Sequence, residues 1–185
     1  RGRIVSAAWK LFYEQGYEDT TVEEIIELSG TSKGSFYHYF DGKDALLSTL
    51  SSLFDEKYEE LTGLLTPEMT AMEQLLFLNR ELFHMIEDSI SLDLLARLYS
   101  TQLTTNGEKH LLDHNRIYYK LLRKIIAKGQ AEGQLSSRSN VNEMVKLYAL
   151  CERALLYDWC LCAGEYALTE YSAKVLPGFL SSFLP

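Results

Sequence analysis

The segment from residue 31 to residue 43 carries the side chains best suited to contact a nucleic acid. It contains ammonium groups on Lys33 and Lys43 and phenol hydroxyls on Tyr37 and Tyr39, and its first ten residues include no Asp or Glu. Lysine and tyrosine donate to phosphate oxygens, which sets a protein's register on DNA, whereas side chains near the start of a helix in the major groove read base edges. The segment therefore predicts a DNA contact.

Two short helices joined by a tight turn would position these groups. Thr21 and Glu24 have the spacing of a capping box, which opens the first helix. Ser29–Gly30 ends it, because glycine tolerates the left-handed conformation at a helix C-terminus. Ser32 is suited to cap the second helix. The pattern predicts a helix-turn-helix over residues 21–40, which places its second helix in a DNA groove.

Aromatic side chains divide this second helix into a buried side and an exposed side. Phe36 and Phe40 stand four residues apart on one face, so we expect them in the core of a small domain, together with Tyr17. Tyr37 and Tyr39 lie between those positions, and a three-helix unit has little core in which to bury them. We therefore expect their hydroxyls to face the DNA.

Taken together, residues 4–47 resemble the DNA-binding domain of the TetR family of transcriptional regulators. The positions that match the family's spacings are Ala7, Ala8, Leu11, Phe12, Gly16, Tyr17, Thr20, Thr21, Val22, Ile25, Ser29, Gly30, the run from Ser32 to Tyr37, Phe40, Lys43, Leu46 and Leu47. The resemblance implies an all-α protein of about nine helices. A three-helix DNA-binding domain would occupy residues 1–47, and a helical effector-binding and dimerisation domain would occupy residues 48–185.

The resemblance also implies which residues contact DNA. The predicted set comprises Lys33, Gly34, Ser35 and Tyr37 as base contacts, Thr21, Tyr37, Tyr39 and Lys43 as backbone contacts, His38 as either, and Thr31 and Ser32 at the start of the helix. Tyr39 stands where the family often has histidine. A phenol can still donate to phosphate, so the departure alters the expected pH response only.

The overall charge is unusual for a DNA-binding protein. The chain has a formal net charge of -8 and a pI near 5.0, so it has no broad basic surface. Local cations at Arg1, Arg3, Lys33 and Lys43 would have to supply the phosphate contacts. We therefore expect the affinity for DNA to depend strongly on salt concentration and on these few groups.

Helical patterns continue through the rest of the chain. A single helix from about Lys43 to Leu65 is predicted to join the two domains and to end before Pro67. The remaining predicted helices run over about residues 70–87, 91–103, 109–132, 140–163 and 169–183, with the last interrupted or kinked near Pro177–Gly178.

The last two predicted helices carry more apolar area than one side of a thin bundle can bury, which argues for a partner. The resemblance implies the same, since TetR-like proteins pair through these helices as a four-helix bundle. A two-fold homodimer then requires a near-palindromic operator. The residues predicted at the dimer interface are Leu147, Leu155, Trp159, Val175, Leu176, Phe179 and Phe183.

The resemblance further implies a small-molecule effector that binds among the middle helices and releases the DNA. Twelve tyrosines favour an amphipathic or aromatic effector, and a buried Glu87 or Glu152 would favour a cation. Ordinary core packing is the alternative at each position. The candidate lining residues are Phe83, His84, Glu87, Tyr99, Gln102, Tyr118, Tyr119, Leu122, Tyr148, Cys151, Glu152 and Tyr157.

Two other groups of residues could bind metal or sense redox state. His110 and His114 stand four apart beside Glu108 and Asp113, although polar residues at a helix start are usually solvated. Two of the three cysteines are two positions apart and so point to different helix faces, and buried cysteine is the simpler interpretation. We assign no metal and no cofactor.

We predict a ligand-responsive homodimeric repressor that binds a palindromic operator. The chain shows no Ser, His and Asp set suited to nucleophilic catalysis and no phosphate-binding Gly-rich loop, so we do not predict an enzyme. The alternative is an all-helical dimeric interaction protein without sequence-specific DNA binding. With no paired cysteine framework, no signal peptide and no long apolar run, we expect a cytoplasmic protein without a membrane partner. Arg1 lies within a helical pattern and is not preceded by methionine, so we expect further residues before it.

Overall fold

The chain is entirely helical in the part that the structure describes. This computed structural model describes residues 1–106 and 109–185, which form ten α-helices and two short 3-10 helices and no β-strand. The predicted all-α class is thus confirmed. The helix count is close to the predicted number of about nine. No helix within the described ranges is long and apolar enough to span a lipid bilayer.

The chain divides into two compact units, each built from two stretches of sequence. The first comprises residues 1–53 and 93–111, and the second comprises residues 54–92 and 112–185. The chain therefore enters or leaves the first unit at three points. The domain boundary after residue 47 stays a prediction.

The first unit contains the predicted helix-turn-helix. Its helices are α1 (Gly2–Gln15), α2 (Val22–Ser29), α3 (Lys33–Tyr39), α4 (Lys43–Leu47), the start of α5 (Leu50–Thr62) and nearly all of α7 (Leu92–Thr104). Helix α1 packs against α2, and α2 packs against α3. The fully buried side chains include Ile4, Ala8, Ile25, Phe36 and Leu46.

Local hydrogen bonds form the helix-turn-helix where the sequence predicts it. The Thr21 hydroxyl accepts from the Glu24 amide at 3.2 Å, and the Glu24 carboxylate accepts from the Thr21 amide at 2.7 Å. Gly30 ends α2 with φ 60° and ψ 35°, the left-handed conformation that glycine adopts without strain. The Ser32 hydroxyl then caps α3 by accepting from the Ser35 amide at 3.1 Å. Both predicted caps are confirmed.

The predicted continuous helix from Lys43 to Leu65 is wrong. The chain forms α4 and α5 there, separated by a turn at residues 48–49, and α5 ends at Thr62.

Hydroxyl groups at this turn explain the break. The Ser48 hydroxyl donates to the Ala45 carbonyl at 2.8 Å. The Thr49 hydroxyl donates to the Leu46 carbonyl at 2.5 Å and accepts from the Trp9 indole N–H at 2.8 Å. Serine and threonine hydroxyls that bond to a preceding carbonyl compete with the helical amides for it. The partly buried bond to Trp9 holds the Thr49 side chain in this position.

The second unit is a bundle formed by the rest of α5 together with α6 (Ala71–Ser89), α8 (Ile117–Ala131), α9 (Val141–Leu161) and α10 (Leu168–Leu180). Helix α6 packs against α8 and α10, and α9 packs against the same two helices. Thr70 and Glu73 form the predicted capping box of α6. Helix α10 continues through Pro177 to Leu180, so the interruption predicted there is absent.

The predicted helix over residues 109–132 begins later than expected. A 3-10 helix covers His110–Leu112, and α8 starts only at Ile117. The Asp113 carboxylate accepts from the Asn115 amide at 2.9 Å, a local bond that favours a turn over a helix. Helix α8 ends at Ala131, within one residue of the predicted end, and Gly133 follows with φ 70°.

Candidate functional site

Helix α3 separates a buried face from an exposed face. Phe36 and Phe40 are 0% and 4% exposed, whereas Tyr37 and Tyr39 are 46% and 47% exposed. Tyr17, at 4%, is also buried. The expected division between core aromatics and solvent-facing phenols therefore agrees with the structure.

Lys33 extends from the first turn of α3 into solvent. Its side chain is 68% exposed, and its Nζ lies 3.7 Å from the Glu23 carboxylate and 6.0 Å from the centroid of the Tyr37 ring. An exposed ion pair of this length contributes little stability. The ammonium group can therefore exchange this carboxylate for a phosphate or a base edge at small cost.

Several other predicted DNA contacts are polar groups that also shape the turn. The Thr31 hydroxyl lies 2.7 Å from the Ser29 hydroxyl, and Ser29 is itself buried. Thr21 and Ser32 cap the two helices, as described above. The nearest side-chain atom to the position that a Cβ on Gly34 would occupy is the Ser32 Oγ, at 4.0 Å. His38 is exposed, and its ring lies 4.7 Å from that of Tyr39.

Lys43 is engaged within the unit. Its Nζ donates to the backbone carbonyls of Tyr17, Glu18 and Thr20 at 2.6, 3.3 and 2.9 Å, and it lies 4.2 Å from the centroid of the Tyr17 ring. These three bonds use every N–H of the ammonium group. Lys43 therefore stabilises the loop between α1 and α2. Its contact with a DNA phosphate stays a prediction and would require some of these bonds to be exchanged.

A cluster around Tyr17 was not predicted. The Arg97 guanidinium from α7 lies 4.9 Å from the Tyr17 ring centroid, so the ring is approached by two cations, Arg97 and Lys43. The Tyr17 hydroxyl donates to the Asp44 carboxylate, and Arg97 pairs with Glu18 at 2.6 Å. Burial, followed by the bond to Asp44, raises the pKa of the Tyr17 hydroxyl above its usual range. The sequence pattern did not indicate that α7 contacts Tyr17 and Glu18.

In the second unit, three predicted effector residues meet in a buried polar cluster. Glu152, 4% exposed, accepts from the Tyr118 hydroxyl at 2.6 Å and from the Asn79 amide at 2.8 Å. The Tyr148 hydroxyl donates to the Leu75 carbonyl at 2.9 Å. Burial raises the pKa of the Glu152 carboxyl, although its hydrogen bonds act in the opposite direction.

The cluster extends to two residues that the sequence did not single out. Asn79 is 3% exposed, and its side-chain oxygen accepts from the Ser172 hydroxyl at 2.6 Å. Ser172 is 1% exposed. Both residues also line a surface groove of about 620 Å³ between α6 and α10, whose walls include Leu76 and Phe77. The buried polar cluster therefore reaches the floor of an open groove.

The remaining effector candidates are dispersed. Phe83 and Leu122 are fully buried and Cys151 nearly so. The Tyr119 hydroxyl accepts from Arg153 at 3.1 Å, and its ring stacks on His114 at 4.5 Å.

Two other candidates are exposed and a third has a structural role. Tyr157 is 50% exposed, and His84 pairs with Asp88 at 3.2 Å on the surface. The Glu87 carboxylate accepts from the amides of Leu168 and Thr169 at the start of α10. The Glu87 carboxylate therefore caps a helix and already has hydrogen-bond partners.

Tyr99 and Gln102 lie on α7 in the first unit. The Gln102 side-chain oxygen accepts from the Leu111 amide at 3.2 Å.

The residues predicted at the dimer interface differ in exposure. Leu155, Trp159, Leu176 and Phe183 are 6%, 7%, 1% and 2% exposed and belong to the core of the second unit. Leu147, Val175 and Phe179 are half-buried. Side chains already buried within one unit offer little apolar area to a partner.

Other apolar residues of α9 are open to solvent. Leu150, Tyr157 and Leu161 are 51%, 50% and 70% exposed, and Ala154 is also exposed. With Leu147 they recur at intervals of three and four residues, which places them on one helix face. We call this set of five residues the α9 stripe. It contains no charged residue.

The metal and redox hypotheses gain no geometric support. Within residues 1–106 and 109–185, no group of three or more His, Cys, Asp or Glu side chains could hold a metal ion. Glu108 lies outside the described residues. Burial raises the pKa values of Cys151 and Cys160 to about 11, which keeps both as unreactive thiols at neutral pH.

A known protein family matches the part of the chain that contains the helix-turn-helix. Residues 4–50 match the family model described as bacterial regulatory proteins, tetR family. A stretch of 64 residues is 41% identical to the uncharacterized HTH-type transcriptional regulator YuxN of Bacillus subtilis (strain 168) and covers 34% of this chain. That match spans only 22% of YuxN.

Solved structures resemble the whole chain in fold. FadR of Bacillus subtilis, solved in complex with stearoyl-CoA, has a TM-score of 0.71 at 23% identity over 98% of both chains. FadR of Thermus thermophilus, solved in complex with lauroyl-CoA, has a TM-score of 0.74 at 24% identity over 100% of this chain and 95% of that one. The capped helix-turn-helix and the family match together show a TetR-type DNA-binding region over residues 4–50, and the solved structures share the all-α fold of the whole chain.

Proposed function

We propose that the protein is a homodimeric transcriptional repressor that binds a palindromic operator and is released by a small-molecule effector. One observation carries the proposal. Helix α3 presents Lys33, Tyr37 and Tyr39 on a solvent-exposed face, while Phe36 and Phe40 anchor its other face in the core. This arrangement supports a recognition helix in the major groove. Such a regulator acts in the bacterial cytoplasm, where the operator is.

The α9 stripe is the surface that we propose for dimerisation. Four of its five apolar side chains are exposed on a 21-residue helix, and a two-fold axis beside α9 would bury both copies of the stripe against each other. The half-buried Val175 and Phe179 of α10 would lie at the margin of this surface. Pairing of this kind holds two recognition helices at a fixed spacing, which a palindromic operator matches.

Fatty acyl-CoA is the effector class that we propose to test first. The two FadR structures that share this fold contain stearoyl-CoA and lauroyl-CoA. An acyl-CoA is amphipathic, in agreement with the effector type expected from the composition. The second unit of this chain offers a groove that has apolar groups such as Leu76 and Phe77, the buried polar residues Asn79 and Ser172, and the charged residues Glu68, Glu73 and Arg80 in its lining.

Helix α7 is the element that we propose to carry the effector signal to α3. It follows α6 directly, yet from Asp93 onward it belongs to the same compact unit as the DNA-binding helices. There Arg97 pairs with Glu18 and packs on Tyr17. An effector that favours a different position of α7 would thereby change the loop before α2. Such coupling requires only that the effector bind the two states with different affinity.

Titration of operator DNA with and without lauroyl-CoA tests this proposal. The proposal predicts tight binding to one palindromic site without effector and weaker binding with saturating lauroyl-CoA. Unchanged affinity at saturating occupancy would contradict release by this effector class. An absence of any sequence-specific binding would favour the alternative function, an all-helical dimeric interaction protein.

A further inference from the structure

Helix α8 is strongly basic within an acidic chain. Residues 116–128 contain Arg116, Lys120, Arg123, Lys124 and Lys128 and no Asp or Glu, although the whole chain has a net charge of -8. Arg116 is used internally, because it pairs with Asp55 at 3.0 Å.

The three lysines of α8 recur every four residues and are exposed, so they lie on one face of the helix. Among the described residues Lys120 and Lys124 have no ion-pair partner, and Lys128 has only a long contact of 3.8 Å with Glu132. Like charges at this spacing repel one another. An anion bound between them would relieve that repulsion.

A small pocket lies against two of these lysines. It has a volume of about 230 Å³, and Lys124 and Lys128 form one side of it. Its other walls include Leu65, Pro67, Leu121 and Ile125. Pockets for whole drug-sized ligands measure about 300–1,000 Å³, so this one is sized for part of a ligand. Cationic and apolar groups thus meet at one opening.

We infer that this pocket binds the phosphorylated head group of an anionic amphiphile. The phosphate oxygens would lie between the ammonium groups of Lys124 and Lys128, and the adjoining apolar part would lie against Leu121 and Ile125. A free phosphate uses only the lysines, and an uncharged lipid uses only the apolar wall. A ligand with both parts uses the whole pocket. The inference rests on the proposed function, since it assigns the phosphates of an acyl-CoA effector to this pocket and leaves the acyl chain to the groove between α6 and α10.

Calorimetric titration of the full-length chain with three probes tests the inference. Lauroyl-CoA carries both parts, CoA carries the phosphates without the acyl chain, and laurate carries the acyl chain with a single carboxylate and no phosphate. In the wild-type protein we expect lauroyl-CoA to bind most tightly. In Lys124→Ala/Lys128→Ala, loss of two charge-assisted contacts should weaken lauroyl-CoA binding at least tenfold and leave laurate binding unchanged.

The matched control is Lys146→Ala, which removes an exposed lysine from α9. It should bind lauroyl-CoA as the wild type does. Equal lauroyl-CoA affinity in the double variant and the wild type would overturn the head-group site and leave the proposed effector class standing. No binding of lauroyl-CoA by the wild type would overturn the effector class and, with it, this inference. Unfolding curves of the double variant and the control identify any loss of folding.

Discussion

Tyr37 and Tyr39 project from α3 because the phenylalanines beside them are held in the core. Phe36 is fully buried and Phe40 nearly so, and a seven-residue helix has no freedom to rotate once both are packed. The face opposite them must then point to solvent. These exposures were predictable from the sequence, since the apolar spacing and the Ser32 cap are local signals.

Lys43 has contacts that its position in the sequence did not indicate. Its place after α3 indicated a phosphate contact, which stays a prediction, and its ammonium group bonds to three carbonyls of the loop at residues 17–20. The partners are backbone atoms more than twenty residues away, so no side-chain pattern reports them. Asn79 and Ser172 were missed because their partners are also far away in the sequence. Their side-chain contacts join α6, α9 and α10.

The buried Glu152 carboxyl should make stability depend on pH. Burial raises its pKa above the ordinary value of 4.5, so the folded chain holds this proton to higher pH than the unfolded chain does. Stability should therefore fall as pH rises from about 4.5 through the folded-state pKa. Glu152→Gln removes the titration. We expect chemical unfolding of the two proteins to differ most near neutral pH and to converge at pH 4.5 and below.

Parallel pH profiles for wild type and Glu152→Gln would contradict this account of Glu152. Glu165→Gln is a suitable control, because its carboxylate is exposed and its removal should leave the wild-type pH profile nearly intact.

At the scale of the elements, close packing of α8 depends on a glycine. A Cβ on Gly129 would stand 2.6 Å from the Ala71 Cβ and 2.8 Å from a Leu135 methyl group. Gly129→Ala should therefore destabilise the second unit by about 1–3 kcal/mol through overpacking. Gly178→Ala in α10 has open space around the same position and should be neutral or stabilising by up to about 1 kcal/mol. Denaturant unfolding compares the two, and equal stability would refute the packing argument.

Helix α7 is the element whose placement most affects the proposed mechanism. Arg97→Ala removes the contacts with Glu18 and Tyr17. We expect the variant to bind effector as the wild type does, while the effector's influence on operator affinity shrinks severalfold. Coupling free energies between sites are typically about 1–3 kcal/mol, so a partial loss is measurable.

Arg138→Ala is the control for this prediction, because Arg138 is exposed and does not line the groove between α6 and α10. Linked titrations of DNA and effector give the coupling for each variant. Undiminished coupling in Arg97→Ala would remove α7 from the signalling route.

Element boundaries were predictable where side chains cap helices and unpredictable where tertiary contacts decide. The capping boxes at Thr21 and Thr70 lie where expected. The break between α4 and α5 depends on a hydroxyl bond from Thr49 that Trp9 supports across forty residues. Helical periodicity alone therefore favoured one long helix.

For the whole molecule, the α9 stripe makes a prediction about assembly. Leu150→Glu/Leu161→Glu places two charges on exposed apolar positions of the proposed interface. We expect this variant to be monomeric by analytical ultracentrifugation at a concentration where the wild type is dimeric, and to lose operator binding. Leu103→Glu, at a position 71% exposed on α7, should leave the dimer intact. A dimeric double variant would exclude the stripe as the interface.

For the whole molecule, the fold class was predicted correctly, but the set of segments that packs together in each unit was not. Helical periodicity and the motif at residues 4–47 were enough to predict an all-α fold that begins with a TetR-type helix-turn-helix. They did not indicate that residues 93–111 fold with the first unit, since that association depends on Arg97 and its partners far away in sequence. The sequence also did not indicate which apolar residues of α9 face solvent, because that depends on how α9 packs against its neighbours.

Selection of bound fragments from a random DNA pool tests sequence-specific binding by a symmetric dimer most directly. The purified wild-type protein should enrich a single palindromic motif at near-physiological salt. Tyr37→Ala, which removes an exposed phenol from the recognition helix, should keep its helical content and dimeric state and lose that motif. Enrichment of the same motif by Tyr37→Ala, or of no motif by effector-free wild type, would contradict the account.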